Sequence, residues 1–354
     1  MRQILLAMLA TTALFGVSES VRGEVRYNIV PISPFVGSIN PVAINDNGVV
    51  AGRADIGGGP RAFYFDGTLH ILPTLGGTLQ AGATGINNNG VIVGSSFITN
   101  NNYIEAFMYD GTIHDLGNFG GNGGGASGIN NSGIIVGSAF SANPSTSRGF
   151  VYNGSLQVFG DPFTAPFAIS DNGLITGRYQ TPIGDNGFFY DGTMHDLGPS
   201  VTGRAVNSLG QAAGAIGQHA FYYDGTVHDL GTLSGTHSQA FGINEQSQVV
   251  GSSDAQGTNG SHAFLYDIVH GMVDLNSLIA PSSGWVLQSA TAINERGEIV
   301  GFGTRTVFDP TIPGDHFYDS QGFILVPTPE PSTLVLAAFG FAGLAAWAWR
   351  RKRD

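Results

Sequence analysis

The chain has 354 residues, no cysteine, 54 glycines and 11% charged residues, with a formal net charge of −12. The missing cysteines exclude disulfides and thiolate metal sites. Residues 21–326 hold 9 Arg and no Lys against 23 Asp and Glu, which excludes the clustered cations of a nucleic-acid face, while an apolar fraction of 42% excludes a disordered polar chain.

The chain opens with Arg2, runs apolar from Ile4 to Val17 and then carries the small residues Ser18 and Ser20. This order of charge, apolar core and small residues predicts a secretory signal peptide over 1–20, cleaved after Ser20. Next, YNIVPI at 27–32 predicts an outer strand without the three strands that precede its counterparts downstream.

From about residue 40 one unit is copied seven times. Its first half reads AINDNGVVAGRA (43–54), GINNNGVIVGSS (85–96), GINNSGIIVGSA (128–139), AISDNGLITGRY (168–179), AVNSLGQAAGAI (205–216), GINEQSQVVGSS (242–253) and AINERGEIVGFG (292–303). The Asn or Ser after the Ile/Val falls at 45, 87, 130, 170, 207, 244 and 294, in steps of 42, 43, 40, 37, 37 and 50. The second half reads AFYFDGTLHILPTL (62–75), AFMYDGTIHDLGNF (106–119), GFVYNGSLQVFG (149–160), FFYDGTMHDLG (188–198) and AFYYDGTVHDLGTL (220–233), with weaker forms at 263–275 and 316–326.

Each copy predicts four strands. The first carries a small residue before its Ile or Val, as strands crowded round an axis require. A tight turn follows, closed by a Gly with positive φ at Gly48, Gly90, Gly133, Gly173, Gly210 and Gly297. Asn45 and its counterparts are expected to close Asx-turns. The second run ends at Gly52, Gly94, Gly137, Gly177, Gly214, Gly251 and Gly301, and a variable loop follows. The third run, Ala-Phe-x-Tyr, is apolar on both faces, and an Asp-Gly turn leads to a polar outer strand. Four strands per ~40 residues is the period of a propeller blade. The expected fold is all-β, a β-propeller of about seven four-stranded blades over 21–326, with a β-solenoid as the runner-up. Counting residues 323–326 gives eight candidate outer strands, one terminal strand closing the ring.

His228-Asp229 has the look of an oriented catalytic imidazole. It recurs as His114-Asp115 and His195-Asp196, with Ile71 replacing the Asp after His70. Neighbours on a strand point to opposite faces. The pairs therefore predict scaffold, with imidazole and carboxylate bonding turn backbone. The Asp-Gly and Asn-Gly runs lack the alternating carboxylates of a calcium loop. Of the carboxylates outside the repeat, Glu105, Asp161, Asp185, Asp254, Asp309 and Asp315, most are expected in variable loops, and no spacing singles out a glycosidase pair. Tyr103 and Trp285 also lie off the repeat, each either a sugar-stacking aromatic or a core cover. No catalytic, cofactor or metal residue is assigned.

The C-terminal segment 327–354 holds Pro329-Glu330-Pro331, then an uncharged run from Thr333 to Trp349, then Arg350, Arg351, Lys352 and Arg353. The run is 17 residues long, at the short limit of a membrane span, and the cations predict a cytoplasmic tail with everything before it exported. These three parts resemble the PEP-CTERM sorting signal of Gram-negative bacteria that make extracellular polysaccharide. The resemblance implies an exosortase as partner, a transient inner-membrane anchor, and release or transfer to the surface. The repeats over roughly 40–326 resemble the HAF family of extracellular repeats on His219-Ala220-Phe221 and His262-Ala263-Phe264, with other residues in place of the His elsewhere. That resemblance implies an extracellular repeat protein and brings no catalytic mechanism. The expected function is a non-enzymatic surface or biofilm-matrix module that binds extracellular polysaccharide or a surface protein. The alternative is a carbohydrate-active hydrolase or lyase, marked by a convergent carboxylate pair at a channel mouth.

Overall fold

The computed structural model describes residues 27–32, 38–55, 57, 59–98, 103–142, 146–255, 260–308 and 316–328. Ser20 and the expected signal peptide, Pro329-Glu330-Pro331, the helix 333–349 and Arg350, Arg351, Lys352 and Arg353 lie outside the described residues. Among the described residues no helix is long and apolar enough to cross a membrane.

Seven four-stranded sheets form the unit Asn28–Val326. Blade 1 runs from its inner strand Ile39–Ile44 through Val50–Asp55 and Pro60–Phe65 to the outer strand Leu69–Ile71. Five further blades repeat this order, their inner strands being Gly76–Ile86, Gly120–Ile129, Ala165–Ile169, Val201–Val206 and Ser238–Ile243. Blade 7 takes Trp285–Ile293, Ile299–Phe308 and His316–Pro327 from the end of the chain, and Tyr27–Pro31 from its beginning as the outer strand. The ring therefore closes through the N-terminal strand. This corrects the count of eight outer strands: residues 323–326 finish the long third strand of blade 7, so seven outer strands remain. The step of 50 residues before the last copy arises from an insertion carrying two 3-10 helices, Leu275–Leu278 and Pro281–Ser283.

The turn after each inner strand is set by local chemistry. In blade 1 the Gly48 N–H donates to the Asn45 carbonyl at 3.0 Å, and Gly48 has φ 79°. In blade 6 Ser247 takes this left-handed position with φ 60°. The second-strand glycines do not end their strands, as the sequence suggested. Each pairs across the ladder with the Phe of the third strand, Gly52 with Phe63 and Gly94 with Phe107 among them. A Cβ at Gly94 would stand 2.9 Å from the Phe107 ring and collide with the Gly82 carbonyl oxygen. A side chain at this position would meet both the inner strand and the Phe ring. Phe63, Phe107, Phe150, Phe188, Phe221, Phe264 and Phe323 are all fully buried.

Apolar side chains collect between neighbouring blades. Ala51 and Ala62 of blade 1 pack with Ala81, Ala83, Ile92 and Phe107 of blade 2. Small residues before the Ile/Val let the inner strands converge: a Cβ on Gly242 would come within 3.1 Å of the Ala292 Cα in the next blade.

Candidate functional site

A belt of amides encircles one end of the central channel. The Asn45 Nδ2 donates to the Asn87 carbonyl at 3.0 Å, Asn87 to Asn130 at 3.1 Å, and Asn130 to Ser170 at 3.1 Å. Asn207 donates to Asn244 at 3.0 Å, Asn244 to Asn294 at 3.2 Å, and Asn294 closes the circle on Asn45 at 3.0 Å. Each Asn Oδ1 meanwhile accepts turn N–H groups, as Asn45 does from Asn47 and Val49. The Asx-turns read from sequence are present, and the same amides also join the blades. Ser170 lacks an amide and sends no such bond to blade 5 among the described residues.

One residue further on, a ring of acceptors caps this end: Asp46, Asn88, Asn131, Asp171, Glu245 and Glu295 each accept the backbone N–H of the preceding blade. The cavity inside measures about 210 Å³. Burial pushes the Glu295 carboxyl up, and the charges of Glu245 and Asp46 push it further. These carboxylates escaped the sequence reading because turn chemistry accounted for their positions. Their N–H partners lie in the preceding blade, and a local pattern does not register those.

Among the described residues the adjacent His and Asp of a pair do not bond each other. His228 Nε2 meets the Asp224 of its own turn at 2.8 Å rather than Asp229, and His114 meets Asp110 at 3.0 Å. The imidazole partner is therefore the turn carboxylate, not turn backbone as expected. The paired Asp does bond turn backbone: Asp229 accepts the Gly231 N–H at 2.8 Å.

The opposite face carries the variable loops. Every inner strand has a register shift at the same place, between Pro41 and Ala43 in blade 1 and between Gly203 and Ala205 in blade 5. Such a bulge re-aims one side chain. The seven bulged residues Val42, Thr84, Ser127, Phe167, Arg204, Phe241 and Thr291 line one cavity of about 330 Å³ on the axis. Thr84 Oγ1 donates to the Ala126 carbonyl at 2.8 Å, and Thr291 Oγ1 to Pro41 at 2.9 Å, so two of them also bridge blades. In sequence this position varies freely between small neighbours, a signal of a lining position that the repeat analysis passed over.

Between blades 2 and 3 a groove of about 410 Å³ is lined by Phe97, Tyr103, Ile104 and Phe140 with glycine backbone as its floor. Tyr103 is 36% exposed and Phe140 40% exposed. Trp285, by contrast, is buried edge-on against Phe323 at 6.1 Å, a core residue. The four off-repeat carboxylates among the described residues are not loop residues. Glu105, Asp161, Asp185 and Asp254 all sit in strands, while Asp309 and Asp315 lie outside the described residues. Asp185 pairs with Arg178 at 3.0 Å and Asp254 with His237 at 3.1 Å. Glu105 is buried, its Oε1 accepts from Asn118 at 2.7 Å, and burial raises its pKa. Among the described residues no group of three or more His, Asp or Glu is placed to hold a metal ion.

Residues 327–352 match the PEP-CTERM protein-sorting motif, which takes in Pro329, Glu330 and Pro331 and the cations up to Lys352. The motif implies export and recognition by an exosortase. Residues 162–337 match a protein family of unknown function, DUF3466. No curated protein matches the chain. Among solved structures, the β-propeller domain of the Trilobed protease from Pyrococcus furiosus, described as having an open velcro topology, is similar with a TM-score of 0.51 at 13% identity, over 80% of this chain and 98% of that one. Pyrococcus horikoshii acylaminoacyl peptidase is similar with a TM-score of 0.51 at 13% identity, over 86% of this chain and 54% of that one. The chain thus spans about half of the acylaminoacyl peptidase, and at this identity the likeness is one of fold.

Proposed function

We propose that the protein is a non-enzymatic binding module of the bacterial surface or biofilm matrix, holding extracellular polysaccharide on its variable-loop face. The observation that carries this is the aromatic groove at Tyr103 and Phe140, an exposed apolar slot on the face where the repeat is least constrained. Planar rings at the edge of a rigid sheet suit the C–H faces of a pyranose. The sorting motif supports an extracellular setting, as does the resemblance to HAF repeats. In this reading the signal peptide leaves after Ser20. The segment 333–349 anchors the chain in the inner membrane, with Arg350–Arg353 in the cytoplasm, until the exosortase acts near Pro329-Glu330-Pro331.

A glycan-array screen of the full chain, with and without calcium, followed by mass analysis of the bound sugars, tests the reading. Intact polysaccharide retained by the wild type and lost on Tyr103→Ala supports it. Shortened sugars overturn it.

One observation favours a second reading, a hydrolase. Burial raises the Glu295 carboxyl beside Asp46 and Glu245 at one end of the channel, and a carboxyl held above its ordinary value is what a general acid requires. Depolymerisation abolished by Glu295→Gln would select it. Against it stands the use of all three side chains as acceptors for neighbouring blades.

A further inference from the structure

From residue 21 to 326 the chain has 9 Arg among 23 Asp and Glu, and among the described residues Arg178 and Arg296 each pair with a carboxylate. Arg204 does not. Its guanidinium lies over the Phe241 ring, 5.5 Å from the centroid. Among the described residues it meets neither a carboxylate nor a hydrogen-bond acceptor, and the charge it feels is that of Arg178, a second cation. Arg178 in turn lies over the Phe167 ring at 5.8 Å and pairs with Asp185 at 3.0 Å. Phe167, Arg204 and Phe241 stand on neighbouring blades at the bulge and line the same 330 Å³ cavity. Arg204 is the one charged residue of the seven bulged positions, the others being Val, Thr, Ser and Phe. A guanidinium fork presents paired donors that match a carboxylate. The cavity has the size of a small-ligand site.

We propose that this end of the channel is a binding site for a uronic acid residue of an extracellular polysaccharide, its carboxylate held by Arg204 and its ring between Phe167 and Phe241. The inference rests on the polysaccharide-binding reading above. A carboxylate here neutralises a guanidinium that the fold leaves without a counter-charge. The two aromatic rings give a sugar the apolar faces that an extended acidic peptide would not use. The opposite end, rimmed by Asp46, Asp171, Glu245 and Glu295, repels the same ligand, so entry is confined to the variable-loop face.

The test is calorimetric titration of the full chain with galacturonic acid tetrasaccharide, with its neutral methyl ester and with a tetraglutamate peptide. The expected result is binding of the acid that weakens at least tenfold on Arg204→Gln and partly on Arg204→Lys, and that falls with added salt. The ester is expected to bind at least tenfold more weakly than the acid. Should R204Q fail to fold, Ser127→Asp keeps the Arg and adds a carboxylate to the same cavity, and the same loss is expected. Equal binding of acid and ester, or equal binding by wild type and R204Q, overturns the site. Tetraglutamate bound with the same dependence on Arg204 overturns the sugar assignment. Polysaccharide retained alike by wild type and R204Q, with no galacturonate bound through Arg204, removes this site and leaves the proposed function standing. Uronate bound through Arg204 with no polymer retained removes the function and leaves the site.

Discussion

Asn87 illustrates how much one side chain of this fold does. Its amide nitrogen reaches the next blade, while its oxygen accepts the N–H groups of Asn89 and Val91. Asn87→Ala removes all three bonds from a buried position and is expected to cost about 2–3 kcal/mol. Asn87→Ser keeps a turn acceptor and is expected to cost less, as denaturant titration would show. The converse change is Ser170→Asn, which supplies the donor missing between blades 4 and 5. It is expected to stabilise by about 1 kcal/mol and to raise Tm. The turn half of this role was legible from the sequence, because an Asx-turn closes within four residues. The inter-blade half was not, since its acceptor lies about forty residues away.

Within a single hairpin, two glycines are required for different reasons. Gly90 has φ 79° and open space where a Cβ would stand. Gly90→Ala is therefore expected to cost about 1 kcal/mol, the penalty of a left-handed L-residue. Gly94 has ordinary backbone, but a Cβ there meets the Phe107 ring and the inner strand. Gly94→Ala is expected to cost about 3 kcal/mol, with the sheet deformed. Chemical denaturation of the two variants distinguishes the causes. The first glycine is legible in the sequence through turn chemistry. The second has the local pattern of a strand end, because nothing adjacent in the chain shows the Phe107 ring and inner strand that a Cβ would meet. The bulge was likewise invisible: an extra residue is defined only by its pairing partner.

Across the whole molecule, stability carries a pH signature. The Asp110, Asp191 and Asp224 carboxyls are held below their ordinary value of 3.8, chiefly by hydrogen bonds from His114, His195 and His228. The Asp66 carboxyl is lowered first by the Thr68 N–H. Depressed folded-state values stabilise above the ordinary pKa, and that stabilisation is lost as pH falls through the folded values. Below about pH 4, Tm is therefore expected to fall. Tyr27 acts in the other direction: burial raises its phenol from 10.0 to about 12. Its contribution is complete below pH 10 and is lost as pH rises from 10.0 to about 12, so alkaline unfolding with a late Tyr absorbance change is expected. Because Tyr27–Pro31 is the outer strand of blade 7, deleting residues 27–31 is expected to lower Tm and broaden the transition.

By itself the sequence determined the number of blades, the four-strand order, the turn glycines and the C-terminal sorting motif. All of these repeat in register or follow from residues adjacent in the chain. Only the tertiary structure decided what the repeats enclose. It brought seven bulged residues from seven copies onto one axis, set Arg204 there without a counter-ion, and placed Tyr103 and Phe140 from neighbouring blades in one groove. It also gave closure to the N-terminal strand. Each of these joins residues far apart in the chain, and ring closure is the physical event that makes them neighbours.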